Sequence, residues 1–278
     1  VYFRPKTLAE ATSTLAAERG RILSGGTDFF PALGESQADG PIIDISNILE
    51  INGIAVGACE VRIGAGTTWS DLVRAPLPPC FDGLRAAALQ VGSVQIQNAG
   101  TIGGNICNAS PAADGIPPLL ALDARVELAS IAGRRTLPLS RFLTGYRATE
   151  RRPDEILAAI IVPRTIDQGR SAFLKLGTRR YMVISIAMVA AIIETLSGRV
   201  TQARMAIGSC SAVATRLDAL EASLVDEAAR PGLGAAALLQ HLGMLRPIDD
   251  VRATASYRMD AALTLVRRAI ETCVADDR

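Results

Sequence analysis

Two glycine pairs constrain most strongly what this chain can fold into. Gly25-Gly26 ends Arg21-Ile22-Leu23-Ser24, which reads as a short buried strand, and Thr27, Asp28 and Phe29 follow. Gly103-Gly104 lies in Asn98-Ala99-Gly100-Thr101-Ile102-Gly103-Gly104-Asn105. Consecutive glycines let the backbone come close to a ligand, so that N–H groups can converge on an anion. Thr27, Thr101 and Asn105 add side-chain donors suited to phosphate oxygens. Neither segment has P-loop spacing, and neither is the G-x-G-x-x-G dinucleotide fingerprint. A single glycine pair is more often a turn than a phosphate cradle. Two of them, in a chain without other catalytic apparatus, suggest a diphosphate gripped from two sides.

The shortage of other apparatus is plain in the composition. His241 is the only histidine, and Cys59, Cys80, Cys107, Cys210 and Cys273 are scattered with no C-x-x-C pair. That spacing excludes a zinc site and an iron–sulfur cluster held by this chain alone, so no metal ligands are assigned. His241 falls in an Ala/Leu-rich stretch, 235–242, that reads as helical and structural. Redox or group-transfer chemistry would then need a bound cofactor. With 29 basic and 28 acidic side chains, the net charge of +1 gives no footprint for nucleic acid or an anionic membrane. The longest apolar run, 182–193, is shorter than the roughly 18 residues needed to span a bilayer and is interrupted by Ser185. The opening Val1-Tyr2-Phe3-Arg4-Pro5-Lys6 lacks the apolar stretch of a signal peptide, and the expected compartment is the cytoplasm.

Along its 278 residues the chain changes pattern twice. Residues 1–52 read as a small α/β unit: Thr7 and Glu10 have capping-box spacing before a helix, with strands at 21–24 and 41–45. Residues 53–165 read as strands at 61–65, 125–128, 136–139 and 155–162, with a helix at 82–89. A linker at 163–169 leads to a strand at 172–176 and a hairpin, 183–196 and 200–208, turning at Ser197-Gly198. The remainder reads as helical, closing with a helix over 255–274.

The second glycine segment continues as Ile106-Cys107-Asn108-Ala109-Ser110-Pro111-Ala112-Ala113-Asp114. In this form it resembles the signature of the FAD-binding (medium) subunit of molybdenum hydroxylases, the family of xanthine dehydrogenase and aerobic carbon monoxide dehydrogenase. Phe3-Arg4-Pro5-Lys6-Thr7-Leu8-Ala9-Glu10-Ala11, Ser24-Gly25-Gly26-Thr27-Asp28, Leu119-Leu120-Ala121-Leu122-Asp123-Ala124, Phe142-Leu143-Thr144-Gly145-Tyr146-Arg147, Asp154-Glu155-Ile156-Leu157 and Tyr257-Arg258 follow in family order. The resemblance covers almost the whole chain.

It implies an α+β fold. A two-part, PCMH-like FAD-binding domain at 1–165 would combine a small α/β subdomain (1–52) with a mainly antiparallel β subdomain (53–165). A C-terminal α+β domain at 170–278, with an antiparallel sheet and helices, would follow. The resemblance also implies that Ile22, Leu23, Ser24, Gly25, Gly26, Thr27, Asp28 and Phe29, with Thr101, Ile102, Gly103, Gly104 and Asn105, wrap the FAD diphosphate. Asp114 matches a flavin-contacting carboxylate, Leu157 an apolar residue beside the cofactor, and Lys175 a lysine near the flavin. The plainer alternatives are a turn-capping Asp114 and a solvated strand lysine at Lys175. The family's acidic residue after the lysine is missing from Lys175-Leu176-Gly177-Thr178-Arg179-Arg180-Tyr181-Met182. Tyr181 reads either as a gate or stacking group at the isoalloxazine or as a core aromatic.

The function so implied is an oxidoreductase flavoprotein subunit. It would take electrons from 2Fe-2S clusters in a small partner subunit and pass them through FAD to an external acceptor. A molybdenum cofactor in a large partner subunit would hydroxylate the substrate, in a heterotrimer or a dimer of heterotrimers. The rival readings are a stand-alone FAD-dependent oxidase or dehydrogenase of PCMH type and a flavin-free scaffold subunit.

Overall fold

The computed structural model describes residues 1–34, 36 and 38–275. Among them, the N-terminal unit is a parallel sheet with Ile42–Asp44 between Tyr2–Phe3 and Arg21–Leu23. Helix Leu8–Glu18 covers it, burying Leu8, Ala11, Thr12 and Leu15 at helical spacing. The Thr7 hydroxyl accepts from Glu10 N at 3.1 Å, but the Glu10 carboxylate accepts from Lys6 N at 2.8 Å rather than from Thr7. The capping box is therefore half realised.

An antiparallel sheet follows in the order Ile54–Val56, Glu60–Gly64, Ile156–Pro163, Arg125–Ser130, Gly133–Pro138. Its central strand, Ile156–Pro163, is apolar throughout because both its faces are covered. Leu157, Ile160 and Val162 join the large core beneath the helices, while Ile156 and Ala158 join the core of the N-terminal unit. The change from odd to even positions is made by a register shift between Leu157 and Ala159.

The third sheet is antiparallel, in the order Arg170–Leu176, Ala187–Leu196, Arg199–Gly208, Thr215–Arg216. Ser197 (φ 51°) and Gly198 (φ 76°) both adopt left-handed backbone, as a two-residue hairpin turn requires. Helix Ala255–Val274 packs its buried stripe, including Ala262, Val266, Ala269 and Ile270, on this sheet.

Two sequence expectations are corrected here. The hairpin begins at Ala187, not near Val183, because Met182 is left-handed (φ 50°) and Ser185 turns inward to bond Asp114. The segment before the last helix is not helical throughout. It holds strand Thr215–Arg216, helix Asp218–Leu224, and only single-turn 3-10 helices at Leu233–Ala236 and Leu239–Leu242. Pro231-Gly232 and Pro247 interrupt a composition otherwise rich in Ala and Leu. No helix among the described residues is long and apolar enough to cross a membrane.

Candidate functional site

Strand Arg21–Leu23 delivers Ser24 and the first glycine pair to the edge of the parallel sheet. Thr101 opens helix Ile102–Asn108, where its hydroxyl accepts from Gly104 N at 3.1 Å. The two glycine segments meet: Ser24 Oγ and Thr101 Oγ1 share a hydrogen bond of 3.1 Å. The approach is so close that a Cβ on Gly25 would lie 2.0 Å from the carbonyl oxygen of Ala99. The second segment is fastened beneath by Trp69 N to Gly100 O (3.2 Å), Ile102 N to Thr67 O (3.0 Å) and Gly103 N to Ala65 O (2.8 Å). A Cβ on Gly103 would meet Ala65 at 2.6 Å and Leu157 at 3.0 Å, so the helix can lie against the sheet only with glycine there.

These segments enclose a cavity of about 560 Å³, within the range of small-molecule and cofactor sites. Of the residues singled out in the sequence, Ile22, Ser24, Gly25, Gly26, Thr27, Asp28, Phe29, Thr101, Gly103, Gly104, Asn105 and Leu157 line it. Leu23 and Ile102 are buried and lie off the wall. The wall also holds residues that sequence reasoning missed: Arg21, Trp69, Ile96, Cys107, Asn108, Arg147 and Arg151. The sole tryptophan and the basic run after Gly145 were the available signals. Burial pushes the Cys107 thiol up to about 11, so it stays protonated near neutral pH and packs as a small apolar group. His241 is off the wall, its Nδ1 accepting from Leu238 N at 3.2 Å. Among the described residues no cluster of His, Cys, Asp or Glu could hold a metal ion.

Asp114 and Lys175 come together, but off the cavity wall. Lys175 Nζ donates to Asp114 Oδ2 at 2.6 Å, and Ser185 Oγ donates to Asp114 Oδ1 at 2.8 Å. The ion pair is buried, with side-chain exposures of 4% and 9%. A solvated lysine and a surface turn-cap are thereby replaced by an internal pair that joins the second sheet's helical cover to the third sheet. Burial raises the Asp114 carboxyl above its ordinary value, against the pull of Lys175 and Ser185. Tyr181 is 62% exposed, with the Arg180 guanidinium 5.2 Å from its ring centre, so the core-aromatic reading is overturned.

The fit of a flavin dinucleotide can be judged on the wall itself. Asn105 lines the cavity, and its Oδ1, buried beside Gly115, has no hydrogen-bond partner among the described residues. The Gly25 and Gly26 N–H groups, the lining hydroxyls and an apolar floor of Leu157 and Trp69 form a set suited to a diphosphate with attached rings. The residues present fit FAD.

The chain is similar to known proteins over nearly its whole length. Residues 1–165 match the family described as FAD binding domain in molybdopterin dehydrogenase, and residues 172–273 match the CO dehydrogenase flavoprotein C-terminal domain. The xanthine dehydrogenase FAD-binding subunit of Escherichia coli O157:H7 is 31% identical, over 99% of this chain and 96% of that protein. The carbon monoxide dehydrogenase medium chain of Hydrogenophaga pseudoflava is 29% identical, over 97% and 95%. Reconstituted CO dehydrogenase from Oligotropha carboxidovorans superposes with a TM-score of 0.91 at 27% identity, over 99% of this chain and 98% of that one. With its glycine-lined cavity, its two-domain α+β architecture and both halves of its sequence matched, the chain belongs to the FAD-binding subunits of the molybdenum hydroxylase family.

Proposed function

We propose that this chain is the FAD-bearing electron-transfer subunit of a molybdenum hydroxylase complex. It would receive electrons from 2Fe-2S clusters of a small partner subunit and pass them to an external acceptor. A large partner subunit would carry the molybdenum cofactor, in a heterotrimer or a dimer of heterotrimers. The observation that carries this reading is the joining of the two glycine segments around a cavity of cofactor size. FAD, when bound, supplies electron exchange in single steps or in pairs.

The chain's own residues hold, orient and shield. Backbone N–H groups at Gly25 and Gly26 would face the diphosphate, with Thr27 as a side-chain donor, while Gly103 and Gly104, whose N–H groups bond Ala65 O and Thr101 Oγ1, let the helix lie close to it. The Ser24–Thr101 bond fixes the spacing of the two loops. Leu157 and Trp69 keep water from the cavity floor. Leu23 and Ile102 act from below as packing, and Asp114 and Lys175 brace the site through their ion pair. Tyr181 is proposed as an exposed gate. The proposed division is 1–165, with subdomains 1–52 and 53–165, followed by 170–278. A cytoplasmic setting is supported by five free cysteines.

Copurification of the full chain with molybdenum and iron–sulfur subunits, then anaerobic reduction of that complex by its hydroxylation substrate, tests the proposal. Reduction of the flavin together with the clusters is expected. A flavoprotein that purifies alone and oxidises a substrate of its own would instead establish the stand-alone oxidase.

A further inference from the structure

Three arginines line the cavity, Arg21, Arg147 and Arg151, with one acidic residue, Asp28. Arginines on the adjoining sheet are paired: Arg62 and Arg134 with Glu127, and Arg135 with Glu155. Among the described residues, none of the three cavity arginines has such a carboxylate partner. The Arg21 guanidinium lies over the Phe29 ring, 4.6 Å from its centre.

Arg147 and Arg151 are held by neutral groups, which position a guanidinium without cancelling its charge. Arg147 Nη1 donates to Asn108 Oδ1 at 2.8 Å, and Arg147 N donates to Ala109 O at 3.1 Å. Asn108 and Ala109 end the same helix that Thr101 and the second glycine pair begin. Arg147 itself is left-handed (φ 50°), a conformation that a non-glycine residue keeps only where its surroundings fix it. Arg151 Nη1 donates to the carbonyls of Arg152 (3.1 Å) and Glu155 (2.8 Å). Most N–H donors of both side chains are left over, in the planar fork that suits phosphate oxygens.

We propose that Arg147 and Arg151 are the cationic half of the diphosphate site, supplying charge from a wall that neither glycine segment builds. The proposal rests on the FAD reading above and adds residues that the glycine motifs do not contain. It also gives the short hairpin of Leu143–Gly145 and Ala148–Thr149 a task, the presentation of Arg147 to the cavity.

The test uses the full chain stripped of flavin, titrated with FAD and separately with ADP over a range of salt concentrations. Arg147→Met and Arg151→Met are each expected to weaken both ligands about tenfold, the scale of a charge-assisted hydrogen bond. Each is also expected to flatten the salt dependence of binding, since a cation has left the site. Arg147→Lys should keep the wild-type salt dependence while losing part of the affinity. Unchanged affinity in the Met variants, or weaker binding with the wild-type salt dependence, would overturn the proposal and leave the arginines a packing role. A wild-type chain that binds neither FAD nor ADP would instead overturn the FAD reading, and this proposal with it.

Discussion

At the scale of single residues, the site depends on atoms that are missing as much as on those present. Gly25→Ala would put a methyl 2.0 Å from the Ala99 carbonyl oxygen and push the two glycine segments apart. Overpacking of this kind costs about 1–3 kcal/mol, and titration of the stripped variant with FAD should show affinity reduced by more than about tenfold. Lys175→Met would leave Asp114 buried without its cation, which costs about 3–5 kcal/mol in thermal or denaturant unfolding. Glu155 behaves oppositely to Asp114. Burial acts to raise its pKa, but Arg135 and the Arg152 N–H overcome this and hold it below the ordinary value of 4.5. A lowered carboxyl pKa stabilises the fold above the unfolded value and loses that contribution as pH falls through the folded one. The stability gap between wild type and Glu155→Gln should therefore be open at about pH 6 and narrow as pH falls below the ordinary carboxyl value of 4.5 in denaturant titrations. The sequence made the glycine positions legible because their motifs are local. Arg147, Arg151 and Trp69 were not, since only tertiary folding brings them to the same wall.

At the scale of elements, apolar runs and turn residues disclosed most of the strands. Ile156–Pro163 was readable because a strand covered on both faces has no polar alternation to confuse it. Its register shift at Leu157 was not readable, although that shift decides which side chains reach the cavity side. Ile160 is fully buried in the large core, and Ile160→Ala should cost about 2–5 kcal/mol by calorimetry or denaturant unfolding. Residues 225–250 misled for the opposite reason. Alanine and leucine favour helix locally, yet Pro231, Pro247 and packing against the terminal helix leave only single turns.

At the scale of the whole molecule, the two halves are joined by ionic contacts of unequal depth. Asp114 receives Lys175 and Ser185 in the interior. Asp123, 47% exposed, receives Arg216 at 2.6 Å and Arg204 at 2.9 Å. Asp123→Ala takes the carboxylate from Arg204 and Arg216, whose side chains are only 11% and 20% exposed, and is expected to cost about 1–3 kcal/mol, less than Lys175→Met. Comparing the two variants by unfolding followed with separate probes of each half checks which contact keeps the halves unfolding together. The single histidine and scattered cysteines are explained at this scale, because a flavin-holding subunit needs no metal ligands of its own. The most direct measurement of that account is the identity and amount of flavin released from the purified full chain. One equivalent of FAD per chain is the expected result, and a chain carrying no flavin, or FMN in its place, would contradict it.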